Sequence, residues 1–376
     1  GSGKTVIGTA GIARIRAKNL GQCWWLAHST ELIDQPADDL RGLGVPYAFV
    51  KSGRAQDPGC PVQISQVQSL VTRPIQPTHD RAFIIVDEAH KMRADTYTLL
   101  RLRLQEAYAK VYFLLLTATP YRLDGRGLRD VANALVEVTT PRQLIACGAI
   151  ENPVFYASPA DQADSSQGVV IFGDPVKTWL DRACGAPTVV RCRNRAHSKL
   201  MVERFSKHIK VEHLDGDTPA PERGRALARL SLGGAHPQGL HMVCVGGPLI
   251  EEGFDSRKSY LLGALSDQSF WVNGNPPPYV PLACLIDLAP THSRGAFIQR
   301  IGRISRKHGP GEVYRMARAS WSLPGGRSGT GLPSLPKSRS VALIHSGNLD
   351  RHGFLVEHEG FDLYADRTGV RQGQKG

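Results

Sequence analysis

The chain repeats one hydropathic rhythm: a short continuous apolar run that ends in polar residues, then a longer segment with helical spacing. "QCWWLAH", "PVQISQVQSL", "RAFIIVDEAH" and "VYFLLLTATP" are the runs of the first part. Runs of this length with no alternation suit strands buried on both faces of a parallel sheet. Between them, "STELIDQPADDL" and "ADTYTLLRLRLQEAYAK" have helical character. Open parallel sheets bind ligands beyond the carboxyl ends of their strands, so the polar run ends are where chemistry is expected.

The same rhythm returns further on. Asp174 and Pro175 read as an N-cap and first helical residue, with Gly185 past the end of that helix. "APTVVRCRN", "AHSKLMVERFSKH", "VEHLDGD", "LHMVCVGG" and "ACLIDLAP" then alternate as strands and helices. The fold expected is α/β, with two parallel-sheet domains in tandem. Domain 1 spans residues 1–150, a Pro-, Ser- and Asp-rich linker 151–168, and domain 2 residues 169–320. The stretch 259–282, with its Asn, Gly and three consecutive prolines, reads as an inserted surface loop. Residues 321–376 hold a low-complexity stretch and a final strand, "VALIHSG".

Composition changes this picture only in its charge. The 376 residues carry 46 Lys and Arg against 34 Asp and Glu, a formal charge of +12 that points to a polyanionic partner. Seven cysteines without a C-x-x-C pair argue against a zinc ribbon and suit reduced thiols in the cytoplasm. No apolar run approaches the ~20 residues that span a bilayer, so no membrane partner is expected.

The opening "GSGKT" presents two readings: the end of a phosphate-binding loop, or a glycine-serine scar before an ordinary helix. What lies downstream favours the loop. "IIVDEAHK" places Asp87 and Glu88 at a strand end, where one carboxylate can hold magnesium and the other can take a proton from water. Lys4 and Thr5 supply what that pair needs, an ammonium for the β/γ-phosphates and a hydroxyl for the metal. Only the last five positions of G-x-x-x-x-G-K-[ST] stand here, so the chain reads as truncated within the loop. In "FIQRIGRISRKHG", Arg300, Arg303 and Arg306 recur every three residues and are expected on roughly one helical face. A guanidinium fork stabilises charge that gathers on a γ-phosphate.

Together GSGKT, "LAHSTELIDQ", "QISQVQSL", DEAH, TATP, "VVRCRN", EGFD and QRIGRISR resemble, in this order, the superfamily 2 helicases of the DEAD/DEAH group. "TATPYRLDGRGL", "QLIACGAI", "APTHSRGAFIQRIGR" and "SGNLDRHG" look more narrowly like the bacterial and phage RadD-type DNA repair helicases. The resemblance implies two RecA-like P-loop domains in tandem around a cleft, and an ATP-dependent helicase or translocase with ATP and Mg2+ as cofactors. It puts Gly1, Ser2, Gly3, Lys4 and Thr5 on phosphate, Thr5 and Asp87 on the metal, and Glu88 as general base. Gln299 would sit near the γ-phosphate with Arg303 and Arg306 as arginine fingers, and Gly253 and Asp255 at the nucleotide. His90, Thr117, Ala118 and Thr119 would couple nucleotide state to domain closure. Thr30, Ser65, Gln66, Ser69, Arg193 and Asn194 would meet nucleic acid, DNA favoured over RNA, mainly through backbone phosphates. Two alternatives stay open: a nucleotide-gated clamp or annealing factor without productive turnover, and the motor part of a restriction enzyme.

Overall fold

A computed structural model describes residues 3–28, 31–50, 57–92, 94–120, 127–158, 163–164, 171–247, 249, 259–264, 267–274, 277, 279–305, 320–322, 328–330 and 340–354. The chain divides into two units, one built on Gly1–Thr139 and the other on Thr140–His358.

In the first unit, α1 (Lys4–Ala17) leads into β1 (Gln22–Ala27), α2 (Glu31–Gly42), β2 (Ala48–Val50) and β3 (Val62–Gln66). Then come α3 (Val67–Thr72), β4 (Arg81–Val86), α4 (Ala94–Ala107) and β5 (Lys110–Leu115). The five strands pair in parallel in the order β2-β3-β1-β4-β5. Parallel pairing needs helical crossovers, and the two faces of the sheet are each covered. Adjacent tryptophans at the sheet centre show the pleat. Trp24 packs with Leu70 of α3 and Leu100 and Leu104 of α4, whereas Trp25 packs with Ile12 of α1 and Ile33 and Leu40 of α2. At the edge, Tyr112 and Leu114 of β5 remain exposed.

The second unit opens with α5 (Pro141–Ala146), held by a reciprocal capping box between Thr140 and Gln143. Its central sheet takes β6 (Val154–Ala157), β9 (Thr188–Cys192), β10 (Val211–Asp215), β11 (Met242–Gly246), β12 (Cys284–Asp287) and β15 (Val341–Ile344). Their order is β10-β11-β9-β12-β15-β6, again all parallel. Two short antiparallel pairs accompany it: β7 (Ala163–Asp164) with β8 (Ile171–Phe172), and β13 (Ser320–Ser322) with β14 (Ser328–Thr330). One face carries α6 (Pro175–Arg182) and α7 (Arg195–Ser206), burying Trp179, Met201 and Phe205. The other carries α8 (Ala220–Leu230) and α9 (Arg294–Ile304), burying Leu227, Phe297 and Ile301. After β15 comes the short helix α10 (Asn348–His352), the last among the described residues.

Two stretches are more ordered than their composition suggests. Val154–Ala157, inside the segment read as linker, is the edge strand β6, paired with β15 in register from Val154–Val341 to Ala157–Ile344. Within 259–282, Phe270 is fully buried with Ala228, Leu232 and Ala264 in a small cluster on α8. Gln238 Nε2 donates to the Ser269 carbonyl at 2.6 Å, anchoring the same segment. The apolar Phe and Ala positions outweigh the surrounding Asn, Gly and Pro.

Candidate functional site

The first cluster forms at the carboxyl ends of β4 and β5, and the position of α1 decides its geometry. Gly8 sits against Trp25: a Cβ there would lie 2.4 Å from the indole ring and 3.0 Å from Leu116. Only glycine lets the helix approach the sheet this closely. The start of α1 thereby brings Lys4 Nζ within 2.8 Å of Glu88 Oε1. Glu88 itself has a left-handed backbone (φ 49°, ψ 50°) as it begins the turn Ala89–Lys91. That conformation is costly for a side-chain-bearing residue and marks functional turns.

Asp87 is buried, and its Oδ1 accepts the Glu88 backbone N–H at 2.9 Å. Burial, then the neighbouring Glu88 charge, push its carboxyl above the usual range, while Lys4 and Lys91 oppose the shift. A cation placed beside it would relieve both effects. Thr5 stands half-buried one residue beyond Lys4 on α1. Among the described residues no group of three or more His, Cys, Asp or Glu side chains could hold a metal. Two hard oxygen donors suit magnesium of the kind that arrives largely ligated by phosphate and water.

His90 lies beside these acids and begins a hydrogen-bonded chain to Thr119. His90 Nδ1 lies 3.4 Å from Glu88 Oε2 and 3.1 Å from Thr117 Oγ1. The Thr117 hydroxyl donates to the Thr119 carbonyl at 2.7 Å and accepts the Thr119 N–H at 3.1 Å. Burial drives His90 down to about 4, so its ring is neutral at pH 7. His28, at the end of β1, was not singled out by sequence reading; burial and then Lys91 bring it to about 4 as well. Thr119 is buried and Ala118 half-buried. Gly3 precedes α1 in a left-handed conformation (φ 73°). Gly1 and Ser2 lie outside the described residues, as do Thr30, Gly253, Asp255 and Arg306.

The expected polymer-contacting residues divide by burial. Ser65 is fully buried on β3, and its hydroxyl lies 3.0 Å from the Gln66 carbonyl and 3.3 Å from that of Val50. This places it in the sheet rather than on a surface that meets phosphate. Gln66 and Ser69 are half-buried at the start of α3. Arg193 and Asn194 are exposed at the mouth of β9, with Asn194 Oδ1 accepting the His197 N–H at 2.9 Å as the α7 cap. Beside them, Arg195 Nε is 2.7 Å from Asp215 Oδ2, and its guanidinium also meets Asp217. The His213 hydrogen bond above all, then backbone N–H donors and Arg195, hold Asp215 near 2.

The arginine helix corrects one expectation. Arg300 does not share an exposed face with Arg303. It is buried, with Nη1 2.8 Å from Asp287 Oδ1 and 2.6 Å from the Ala289 carbonyl. Three residues advance a helix by about 300°, and the remaining 60° turns Arg300 into the core. Gln299 and Arg303 stay half-buried on the flank. Asp287 carried the missed signal, an acid closing the apolar run "ACLID".

Residues 1–122 match the family model described as "Type III restriction enzyme, res subunit". A 51.5 kDa protein of Lactococcus phage (isolate 7-9) is 27% identical over 271 residues, covering 68% of this chain and 55% of that protein. The chain thus spans about half the length of this curated relative. Among solved structures, the DUF1998 helicase MrfA bound to DNA superposes with a TM-score of 0.53 at 13% identity, over 90% of this chain and 45% of that one. S. cerevisiae Dbp5 bound to RNA and ADP BeF3 gives a TM-score of 0.46 at 15% identity, over 86% of this chain and 71% of that one. Residues 1–122 are therefore similar to that family, and the chain has the α/β fold of two tandem RecA-like units, each built on a parallel sheet.

Proposed function

We propose that this protein is an ATP-dependent helicase or translocase acting on DNA, of the RadD-type repair class and encoded by or related to phage. The observation that carries the reading is the cluster in the first unit. An ammonium, two carboxylates, a neutral imidazole and a threonine hydroxyl meet at the carboxyl edge of one parallel sheet, linked by contacts of 2.7–3.4 Å. In this reading Gly1–Thr5 bind the triphosphate and Lys4 neutralises its β/γ-oxygens. Thr5 and Asp87 hold Mg2+, which supplies charge neutralisation of the phosphates when bound. Glu88 takes the proton of the attacking water, and Gln299, Arg303 and Arg306 of the second unit act on the γ-phosphate.

His90 lies 3.4 Å from Glu88 Oε2 and is hydrogen-bonded through Thr117 to Thr119, an arrangement suited to passing the state of the phosphate to the rest of the protein. Gly253 and Asp255 complete the nucleotide site in this reading. Gln66, Ser69, Arg193 and Asn194 face the polymer's phosphates, with the +12 charge favouring the encounter. The phage relative supports the phage assignment.

DNA-stimulated ATP hydrolysis by the full-length protein tests the reading. Glu88→Gln is expected to lower turnover by about 10²–10⁴, and Arg303→Ala or Arg306→Ala by about 10³ or more, with ATP still bound. Turnover within a few-fold of the parent in Glu88→Gln would remove the assigned base. Nucleotide-dependent DNA binding without hydrolysis in the parent would establish a clamp instead. The description of the matched family favours one second reading, the motor of a restriction enzyme. ATP-dependent cleavage of duplex DNA would select it.

A further inference from the structure

The arginine helix is gripped from behind by the segment that follows β15. Asp287, at the carboxyl end of β12, is fully buried, and its carboxylate is surrounded by donors. Oδ1 accepts from Arg300 Nη1 at 2.8 Å and faces the Ala289 N–H at 3.4 Å. Oδ2 accepts from Asn348 Nδ2 at 2.6 Å and from Ser346 Oγ at 3.1 Å. Asn348 is also fully buried, and every arm of its amide is engaged. Its Nδ2 also donates to the Ala289 carbonyl at 3.0 Å, and its Oδ1 accepts the Thr291 N–H at 2.9 Å. Gly347, with φ 68° and the Phe172 ring 3.0 Å from a notional Cβ, supplies the left-handed turn that drops Asn348 into place.

The rest of α10 continues the grip. Arg351 Nη1 lies 3.0 Å and His352 Nε2 2.8 Å from the Thr291 carbonyl, and the His352 ring packs against Phe297 of α9. At about 100° per residue, Gln299 and Arg303 lie only about 40° apart around α9, on the same side of Arg300. The buried Phe297, Ile301 and Ile304 lie on its other side. Fixing Arg300 therefore fixes the direction in which the pair Gln299 and Arg303 leaves the helix.

We propose that Asn348 is a positioning residue: by tying Asp287 and the 289–291 loop together around Arg300, it sets the rotation of α9 and so aims Gln299 and Arg303. This rests on the ATPase reading above for its effect on turnover, but not for its effect on the helix. A buried ion pair alone is weak at fixing geometry unless its remaining donors and acceptors are satisfied. Asn348 meets that condition from a segment some fifty residues downstream of α9.

The test compares Asn348→Ala and Asn348→Asp with the exposed control Asp350→Ala in the full-length protein. Amide hydrogen exchange and DNA-stimulated ATP hydrolysis are both read. In the two Asn348 variants, α9 amides are expected to exchange about tenfold faster or more while β9, β11 and β12 keep their protection. Turnover is expected to fall by about 10²-fold, with KM for ATP within a few-fold, because misplacement of a charge-stabilising group acts on kcat. Asp350→Ala should match the parent in both. Unchanged α9 protection, or protection lost equally across the whole sheet, would overturn the positioning role. If the parent itself hydrolyses no ATP, the functional reading fails, and the exchange comparison alone decides the proposal.

Discussion

At the residue scale, the candidate site in the first unit depends on a glycine that belongs to no motif. Lys4, Asp87, Glu88 and His90 could be named because each belongs to a short local pattern, and they do meet through contacts of 2.8–3.4 Å. Gly8 carries no such pattern, since a helical glycine reads as a mere weakness until the indole beside it is seen. Gly8→Ala separates two opposing effects. Helix propensity favours alanine by about 1 kcal/mol, but the new Cβ would sit 2.4 Å from a fully buried Trp25. Overpacking of that kind costs about 1–3 kcal/mol, because a close-packed interior leaves a large ring little room to shift. Gly8→Ala should therefore lower the urea midpoint of the first unit. A raised midpoint would mean that the indole yields and that the close approach is not enforced by glycine.

At the element scale, local caps and buried runs were readable, but distant pairings were not. Asp174 before Pro175 announced α6 correctly: Asp174 Oδ1 accepts the Val176 N–H at 2.9 Å. It also accepts from Arg204 Nη2 of α7 at 2.9 Å, a link that no local pattern signals. β6 was hidden for a related reason. Its four residues are only partly buried and owe their extended form to β15, which lies nearly two hundred residues away. Arg300 was misplaced because a three-residue repeat fixes the spacing of guanidinium groups but not which of them the core claims. The double use of Asp174 leads to an ordering. Asp174→Ala should destabilise the second unit by about 1–2 kcal/mol through the lost cap, and Arg204→Ala by at most about 1 kcal/mol, since the partly exposed ion pair is the lesser part. Urea unfolding of the two variants checks it, and the reverse ranking would make the interhelical pair the dominant role.

At the scale of the whole molecule, a chain of formal charge +12 also hides uncharged histidines in its interior. Burial brings His28, His90 and His241 to about 4, with Lys91, Glu88 and Lys210 as the nearby charges, and pushes His197, His345 and His352 downward as well. Below the ordinary value of 6.5 the unfolded chain binds protons on these rings while the folded chain does not. Stability from them is thus complete above that value and is lost as pH falls below it, for His28, His90 and His241 until about 4, where those folded rings also charge. Asp87 works the other way, because its carboxyl takes up a proton more readily when folded. Burial and the Asp38 charge push Asp39 the same way, and the contribution of these two carboxyls enters only toward the acidic end, against several histidines. The added positive charge from protonated surface histidines opposes folding further. The unfolding temperature should accordingly drop steadily from pH 7 to pH 4.5 at constant ionic strength. His90→Asn should flatten that slope for the first unit while leaving the second unchanged. A midpoint that stays level across this range, or rises, would show that the rings are charged in the folded protein. In that case the neutral His90 linking Glu88 to Thr117 would have to be abandoned.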